Sequence, residues 1–321
     1  MKITLQLIKH MNREEPYPRG ELERVYDCDL CGASKFESEV VVGIWKLVKC
    51  AECGLVLTSP RYTAAALQEI YEDLYYDRAS GYLSAQLVEP SENEYCLAKS
   101  LLKIRTPTNR YRVPRSLDIG CGAGRIVRAF EQVGWEATGI DLSKKAISAG
   151  KDAGLDLRIS SIENSSLGTF EVITAFHILE HLHSPKAFLN QCAVRLVRKG
   201  HVLIEVPNYG SRAAMKMRQA WPYLFPDLHL YQFTIDTLNR YLLQADLEVV
   251  RIQKTHGRSL LQASNESLGG RGQNREIAKS IGLGIWNRSF KVPAFRQFVR
   301  YMVLDLLGHG EFIRVLARKK G

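Results

Sequence analysis

A glycine-rich turn between an apolar run and an amphipathic segment constrains the fold of this chain more than any other feature. Residues 116–119 (Ser-Leu-Asp-Ile) lead into Gly120, Gly122 and Gly124, and apolar residues recur at helical spacing from Ile126 onward. The pattern predicts a strand, a tight turn and a helix. Glycines permit the sharp turn and a close approach by a ligand, and the following helix offers unpaired N–H groups. The turn is therefore a candidate cofactor site, with packing alone as the alternative.

A carboxylate at the end of the next predicted strand favours a cofactor that carries a ribose. Residues 137–140 form an apolar run that ends at Asp141. Dinucleotide folds place the acidic residue that binds ribose hydroxyls about 20 residues after the glycines. Asp118 precedes the glycines, where nicotinamide-binding turns usually keep an apolar residue, and the glycine spacing is Gly-x-Gly-x-Gly. These features favour S-adenosylmethionine over a dinucleotide.

At these residues the chain resembles the class I S-adenosylmethionine-dependent methyltransferases, whose first two motifs are similar to residues 117–124 and 139–141. The resemblance covers about residues 114–255. It implies a Rossmann-like fold with the cofactor bound beside the glycine turn. The cofactor-binding residues that we expect are Asp118, Gly120, Gly122, Gly124, Asp141, Leu142, Ser161, Ile162, Phe176 and His177.

Strand and helix patterns alternate through this region. Such alternation predicts an α/β fold with a doubly wound parallel sheet and with ligands at the carboxyl ends of the strands. The seven predicted strands span 116–119, 137–140, 157–159, 171–176, 201–206, 247–253 and 312–317.

Two Cys-x-x-Cys pairs near the N-terminus predict a metal site. They are Cys28 with Cys31 and Cys50 with Cys53. Each pair can present two thiolates from one tight turn, and the spacer is long enough for a hairpin to bring the pairs together around a tetrahedral zinc ion. A thioredoxin-like redox site would explain one pair but not both. We therefore expect a structural Zn²⁺ and a small zinc ribbon.

The chain thus divides into five expected segments. They are a zinc ribbon at 1–61, a helical lid or linker at 62–113, the cofactor-binding domain at 114–255, a helical insert at 256–309 and the final strand at 310–321. The insert combines a basic face with an apolar face, which favours packing on the sheet or a homodimer contact. A membrane-surface helix and an RNA-binding face stay open as alternatives.

Titratable residues follow the fourth and fifth predicted strands. His177, Glu180 and His181 have the spacing that would place them on one face of a helical turn in the cofactor cleft. They could act as bases or bind a metal, or Glu180 and His181 could form a hydrogen-bonded structural pair. His229 and Tyr231 form a second cluster. Because histidine titrates near neutral pH, His181 or His229 suits a base that deprotonates the acceptor.

The same residues resemble a subgroup of class I methyltransferases with an N-terminal zinc module, a His-x-x-Glu-His motif and a later Trp…Pro…His…Phe-Thr stretch. Its members act in sugar and polysaccharide biosynthesis and include C-methyltransferases of nucleotide-linked keto-sugars. This resemblance implies a sugar-type acceptor. The catalytic residues that we expect are Glu180, His181, His229 and Tyr231.

A second resemblance gives an alternative reaction. Quinone O-methyltransferases and small-RNA 2′-O-methyltransferases are similar in using Glu-x-x-Glu-His and a later histidine to bind a divalent metal. Here His177 stands in place of the first glutamate. This resemblance implies metal-assisted O-methylation of a quinone-like or hydroxyl acceptor.

The net charge of +10 fits either an anionic partner or a solvated surface with surplus lysine and arginine. We expect a small-molecule acceptor, sugar-like or phosphorylated. An RNA methyltransferase that grips nucleic acid with the ribbon is the alternative enzyme, and a non-catalytic binding module is a third class. Residues 1–14 lack the apolar core of a signal peptide, and no segment has the ~18 consecutive apolar residues of a membrane span, so we expect a cytoplasmic protein.

Overall fold

The structure is a computed structural model that describes residues 20–71, 88–103, 112–255 and 310–321. The expectations for the insert at 256–309 lie outside the described residues.

Helices and strands follow the order that the sequence predicts. In the N-terminal part the elements are β1 (Leu22–Glu23), β2 (Phe36–Val42), β3 (Trp45–Cys50), β4 (Val56–Thr58), β5 (Arg61–Tyr62), α1 (Ala64–Ile70) and α2 (Glu92–Lys103). The middle part contains β6 (Arg115–Ile119), α3 (Arg125–Gln132), β7 (Glu136–Asp141), α4 (Lys144–Asp152), β8 (Leu157–Ile159), β9 (Phe170–Phe176) and α5 (Pro185–Arg195). The last elements are β10 (Leu196–Pro207), α6 (Arg212–Met217), β11 (Tyr231–Gln232), α7 (Ile235–Gln244), β12 (Leu247–Thr255) and β13 (Phe312–Lys319).

The main sheet has seven strands in the order β8-β7-β6-β9-β10-β13-β12. Neighbouring strands from β8 to β10 are parallel, whereas β13 runs antiparallel to both β10 and β12. The strand order reverses between β6 and β9, where ligands bind in open α/β sheets. The predicted seven-stranded, doubly wound α/β fold is confirmed, but the parallel direction expected for every strand is wrong at β13.

Local sequence explains where helices α4, α5 and α7 begin. Ser143 caps α4 by accepting a hydrogen bond from the Ala146 N–H, and Ser184 caps α5 through the Ala187 N–H. Thr234 and Thr237 form a reciprocal capping box at α7. Each cap satisfies backbone donors that the first helical turn would otherwise leave unpaired.

The N-terminal ribbon contains a second sheet, which is completed by a strand from the middle of the chain. This sheet has the order β11-β4-β3-β2, and β11 pairs antiparallel with β4. Strands β2, β3 and β4 lie within the expected ribbon, whereas β11 lies outside it and was not predicted. The ribbon is therefore joined to the cofactor-binding region through backbone hydrogen bonds.

The ribbon and the main sheet also share one hydrophobic core. Leu30, Trp45 and Leu57 from the ribbon belong to the same cluster of buried side chains as Ile173 and Ile204 from the main sheet. Burial of apolar surface contributes roughly 25 cal/mol per Å². The shared core thus stabilises the ribbon and the sheet together. Within the described ranges, no helix is both long enough and apolar enough to cross a bilayer.

Candidate functional site

The glycine turn has the backbone conformation that its sequence predicts. Gly120, Gly122 and Gly124 all have positive φ, at 70°, 53° and 91°. A Cβ atom on Gly120 would lie 2.0 Å from Cδ1 of Ile178, whereas one on Gly122 would meet no atom within 4 Å. Gly120 is therefore required for close packing, while the backbone at Gly122 borders open space that a ligand can fill.

Asp141 lies beside this turn at the end of β7. Its Oδ2 accepts a hydrogen bond from the Gly122 N–H at 2.9 Å, and its Oδ1 accepts one from the Ser143 N–H at 2.8 Å. These two backbone bonds fix the orientation of the Asp141 carboxylate beside the turn. The neighbouring Leu142 is exposed. A fixed carboxylate, an open glycine turn and an exposed apolar side chain fit a ribose-bearing cofactor.

The other expected cofactor residues are divided between the surface and the interior. Ser161 is exposed, Ile162 is buried, and Phe176 is half-buried with the Arg314 guanidinium 5.4 Å from its ring centroid. The structure shows where these three side chains lie, but their contacts with a cofactor are still a prediction.

Asp118 lies inside the sheet rather than on the open side of the turn. It is 5% exposed, and its Oδ1 accepts a hydrogen bond from the Thr174 hydroxyl at 2.6 Å. Burial raises the pKa of Asp118 to about 7, with Asp141 and Glu94 adding to the effect and Thr174 opposing it. The geometry gives Asp118 a supporting position behind the turn.

The second group of titratable residues lies after β9. Residues Leu179–His181 form a single 3-10 turn, and His177 precedes it with a left-handed backbone, φ 55°. The predicted helical face is therefore wrong at His177. The turn nevertheless brings the Nδ1 atom of His177 to 3.4 Å from Oε1 of Glu180.

Glu180 is the most unusual residue of this group. Its side chain is fully buried, and neither carboxylate oxygen has a hydrogen-bond partner among the residues that the structure describes. The Nε2 atom of His181 lies 4.0 Å from Oε1, so the expected hydrogen-bonded pair between these residues is not formed. Burial alone would raise the pKa of Glu180, but the neighbouring His177 imidazole is the main cause that outweighs burial and lowers it. A buried carboxylate needs a positive partner, and protonated His177, 3.4 Å away, is one.

The imidazoles of His181 and His229 pack against each other beside Glu180, with ring centroids 4.7 Å apart. Nδ1 of His181 lies 3.1 Å from the Leu228 carbonyl oxygen, and Nδ1 of His229 lies 2.9 Å from the Tyr223 carbonyl oxygen. Because a carbonyl oxygen only accepts, Nδ1 of His229 carries the proton and its Nε2 keeps a lone pair. This tautomer is the one that metal-binding histidines adopt. Nδ1 of His181 also lies 2.5 Å from the Tyr71 hydroxyl, which can donate as well as accept, so these contacts fit either tautomer of His181.

The three side chains together form a candidate metal site. One ligand atom from each of Glu180, His181 and His229 lies within 4.8 Å of the other two. Burial lowers the pKa of His181, and burial with the neighbouring His181 lowers the pKa of His229 to about 3. Both imidazoles are neutral at neutral pH, as metal binding requires.

His177 connects this group to the end of β10. Its Nε2 atom lies 3.5 Å from Oε1 of Glu205. The other carboxylate oxygen of Glu205, Oε2, accepts hydrogen bonds from Arg314 at 2.7 Å and Thr255 at 3.1 Å. Burial opposes protonation of His177, but the carboxylates of Glu180 and Glu205 raise its pKa to about 10. The structure thus places His177 between two carboxylates; its expected contact with a cofactor stays a prediction.

Tyr231 is not part of the group around Glu180. Its hydroxyl accepts a hydrogen bond from Arg61 at 3.1 Å and donates one to the His183 carbonyl oxygen at 3.0 Å. Burial raises the pKa of Tyr231 to about 12. With its hydroxyl used in this way, the side chain links two segments, and the structure offers no support for the expected catalytic role.

The four ribbon cysteines form a separate cluster. Cys28 and Cys53 have Sγ atoms 3.4 Å apart, and the Sγ atoms of Cys31 and Cys50 are 3.6 Å apart. Zn–S bonds of about 2.3 Å in a tetrahedral site give similar sulfur separations. Gly32 and Gly54 follow the knuckles with nearly equal φ, 76° and 75°, and their N–H groups donate to Cys28 and Cys50. The two knuckles thus have the same turn, and their thiols fit one zinc ion.

Sequence reasoning missed two residues of the site. Glu205 interrupts the apolar run of β10, and a charge within a predicted buried strand could have identified it. Arg314 on β13 gave no such signal. Tyr71 is one of several tyrosines at helical spacing, a pattern that indicates either packing or a lid over the site. The hydroxyl oxygen of Tyr71 lies 2.5 Å from Nδ1 of His181, so α1 reaches the same group.

Comparison with known proteins identifies the family to which this chain belongs. Residues 88–252, just over half of the chain, match the family described as "Methyltransferase domain", and the chain belongs to that family.

Among curated proteins, the chain is 30% identical over 156 residues to a ubiquinone biosynthesis O-methyltransferase from Alkalilimnicola ehrlichii, covering 44% of this chain and 62% of that protein. It is 31% identical over 151 residues to the protein of the same name from Azoarcus sp., covering 42% and 65%. In both cases the match spans less than two thirds of the relative's own length.

Solved structures with a similar fold include a SAM-dependent methyltransferase from Archaeoglobus fulgidus, with TM-score 0.48 and 18% identity over 77% of this chain and 100% of that chain. Another is the plantazolicin methyltransferase BpumL in complex with SAH, with TM-score 0.47 and 17% identity over 80% of this chain and 95% of that chain.

Proposed function

We propose that this protein is an S-adenosylmethionine-dependent O-methyltransferase that holds a divalent cation on Glu180, His181 and His229. The observation that carries the proposal is the cluster itself: one ligand atom from each of Glu180, His181 and His229 lies within 4.8 Å of the other two, and the carboxylate is fully buried. The O-methyltransferase names of the two relatives support the same reaction.

Electrostatics favour a metal-binding role over a base role for the two histidines. An effective general base has a pKa near the working pH. The pKa of His229 is about 3, and that of His181 is also lowered, because both rings are buried. Neutral imidazoles are weak bases here but good ligands. We therefore replace the expected base-assisted mechanism with a metal-assisted one.

Different residues of the chain bind the cofactor and the cation. Gly120 to Gly124 and Asp141 bind the cofactor, whose sulfonium supplies an electrophilic methyl group. Glu180, His181 and His229 hold the cation, which when bound lowers the pKa of a hydroxyl that it contacts. Holding the acceptor oxygen in line with the methyl group then provides most of the rate enhancement.

The donor set indicates which cations and acceptors suit the site. One carboxylate and two imidazoles favour Mn²⁺, Fe²⁺ or Zn²⁺ over Mg²⁺, which prefers oxygen ligands. Three protein ligands leave open positions for substrate oxygens. The acceptor class is therefore a small molecule with neighbouring oxygens, either a dihydroxyaromatic ring or a sugar diol.

The ribbon cysteines are proposed to hold a separate, structural zinc ion. Cys28, Cys31, Cys50 and Cys53 fill all four positions of a tetrahedral site, so no position is open for chemistry. Support comes from the sulfur separations and from the matching knuckle turns.

The test compares Glu180→Gln with Glu171→Gln. Both changes remove one carboxylate charge, but Glu171 lies at the opposite end of β9 and accepts a hydrogen bond from the Arg115 N–H. Transfer of labelled methyl groups would be followed with a dihydroxyaromatic acid, a nucleotide-linked sugar and RNA, with and without Mn²⁺.

Loss of Mn²⁺-dependent turnover of a small acceptor in Glu180→Gln alone is the expected result. Turnover that is independent of Mn²⁺ and survives in Glu180→Gln would contradict the metal-assisted mechanism. Methylation of RNA alone would contradict the acceptor class.

A further inference from the structure

A continuous path of backbone hydrogen bonds runs from the ribbon to the proposed cation site. The Thr58 N–H, at the end of β4, donates to the Leu230 carbonyl at 3.0 Å, and the Leu230 N–H donates to the Glu180 carbonyl at 2.8 Å. Leu230 follows His229 directly. A single ribbon residue thereby supports the backbone beside two of the three proposed ligands.

The Thr58 side chain adds a second bond in the same place. Its hydroxyl donates to the carbonyl oxygen of His229 at 3.3 Å, and the residue is fully buried. Pairing of Tyr231 with Leu57 continues the contact into β11. Thr58 therefore binds the carbonyl oxygens of both His229 and Leu230, in two successive peptide units.

The segment that contains Glu180 and His181 is held in a similar way from its other end. Arg61 donates to the Tyr231 hydroxyl, which in turn donates to the His183 carbonyl. His183 also places its Nε2 atom 2.8 Å from the Tyr62 carbonyl oxygen. These bonds connect β5 to the residues immediately after the 3-10 turn.

A residue of the first cysteine knuckle completes the set. Asp29, between Cys28 and Cys31, accepts hydrogen bonds from the Ser184 hydroxyl at 2.7 Å and from the Lys186 N–H at 3.0 Å. Ser184 is the N-cap of α5, which follows the Glu180 segment after two residues. The metal knuckle thus fixes the start of that helix.

We propose that Thr58, Arg61 and Asp29 are positioning residues, through which the cysteine ribbon sets the geometry of the Glu180, His181 and His229 site. The ribbon is then part of the scaffold of the cation site, and its zinc ion is needed for that site while the cofactor site, built on β6 and β7, is independent of it. This inference rests on the proposed cation-binding function.

The expected size of the effect follows from how metal sites respond to changes around their ligands. Loss of a group that orients a ligand typically reduces metal affinity 10- to 100-fold. Thr58 acts through the backbone of His229 and Leu230, so the lower end of this range, about ten-fold, is expected for its hydroxyl.

The experiment uses the full chain with its ribbon loaded with zinc, and it measures Mn²⁺ and S-adenosylhomocysteine affinities by calorimetry. Mn²⁺ prefers nitrogen and oxygen ligands to thiolates, so it reports on the proposed site rather than on the cysteines. Thr58→Val removes the hydroxyl at constant size, and Thr58→Ser keeps it. Thr138→Val is the matched control, because Thr138 is a buried threonine on β7 whose hydroxyl donates to Asp156.

We expect Thr58→Val to weaken Mn²⁺ binding about ten-fold, with Thr58→Ser and Thr138→Val close to the native protein and with S-adenosylhomocysteine affinity unchanged in all three. A Cys31→Ser variant with reduced zinc content should lose Mn²⁺ binding and keep S-adenosylhomocysteine binding.

Three outcomes would overturn the inference alone. The first is native Mn²⁺ affinity in Thr58→Val, and the second is an equal loss of Mn²⁺ affinity in Thr138→Val. The third is a parallel loss of Mn²⁺ and S-adenosylhomocysteine affinity in Thr58→Val. A native protein that binds S-adenosylhomocysteine but no Mn²⁺ would instead overturn the proposed function, and the inference with it. The two failures are therefore distinguishable.

Discussion

Replacing Asp118 with asparagine should change how the stability of the protein depends on pH. Asp118 is buried behind the glycine turn, and burial raises its pKa to about 7 from an ordinary value of 3.8. The folded protein therefore favours the protonated carboxyl more than the unfolded chain does. The stability that this preference provides is fully present below about pH 4 and is lost as the pH rises through about 7.

The magnitude follows from the two pKa values. A tenfold change in proton affinity corresponds to about 1.4 kcal/mol, so the difference between 3.8 and about 7 corresponds to about 4 kcal/mol. Asparagine has the same shape and no charge, so Asp118→Asn should not show this loss. The variant should have nearly native stability at pH 4 and exceed the native protein by up to about 4 kcal/mol at pH 8.

Urea denaturation between pH 5 and 8, followed by circular dichroism in the presence of zinc, measures this difference. Asp156→Asn is an informative control, because side-chain bonds from Arg158 and Thr138 outweigh burial and lower the pKa of Asp156. Its contribution to stability has the opposite sign, being present above the unfolded pKa and lost as the pH falls. A stability difference between Asp118→Asn and the native protein that is constant across this pH range would refute the reasoning.

Three further predictions concern the cofactor turn and the ribbon. Asp141→Ala should weaken S-adenosylhomocysteine binding about ten-fold or more by calorimetry, since bonds to a charged acceptor contribute about 1.5–3 kcal/mol; unchanged affinity would contradict the cofactor assignment. Gly120→Ala should destabilise the protein by more than the roughly 1–2 kcal/mol of a left-handed residue, because its Cβ would also meet Ile178, and native stability in thermal denaturation would oppose this. Elemental analysis should find at least one zinc per chain in protein prepared without chelators, and its absence would refute the Cys₄ site.

The parts of the fold that follow from local pattern were predicted well. The strand predicted at 116–119 is observed at Arg115–Ile119, and the one at 157–159 is observed at Leu157–Ile159. In such segments the local sequence pattern places the strand to within a few residues. The strand predicted at 201–206 extends in the structure from Leu196 to Pro207, because Leu196 pairs with Phe170 across a register shift that the sequence does not reveal.

The sequence pointed to Glu180, His181 and His229, which the structure brings together, but not to their arrangement. The spacing of His177, Glu180 and His181 suggested one helical face, yet His177 adopts a left-handed backbone. A non-glycine residue at positive φ is uncommon and is stabilised by its surroundings, so local propensity cannot predict it. Here the His177 N–H donates to the Glu205 carbonyl, from a segment that the spacing does not include.

The position of His229 shows why the arrangement of the site could not be predicted from the sequence. It depends on pairing between β11 and β4, in which Tyr231 faces Leu57 and Gln232 faces Val56. Side chains alternate between the faces of a strand, so a slip of one residue would exchange the faces of all of them. A strand of two residues has too little hydrophobic pattern to fix this register alone. The register is fixed by contacts that surround β11, such as the bonds of Tyr231 to Arg61 and His183. Tyr231 thus contributes to the site by fixing the strand that follows His229, although the sequence suggested that it would act on the substrate.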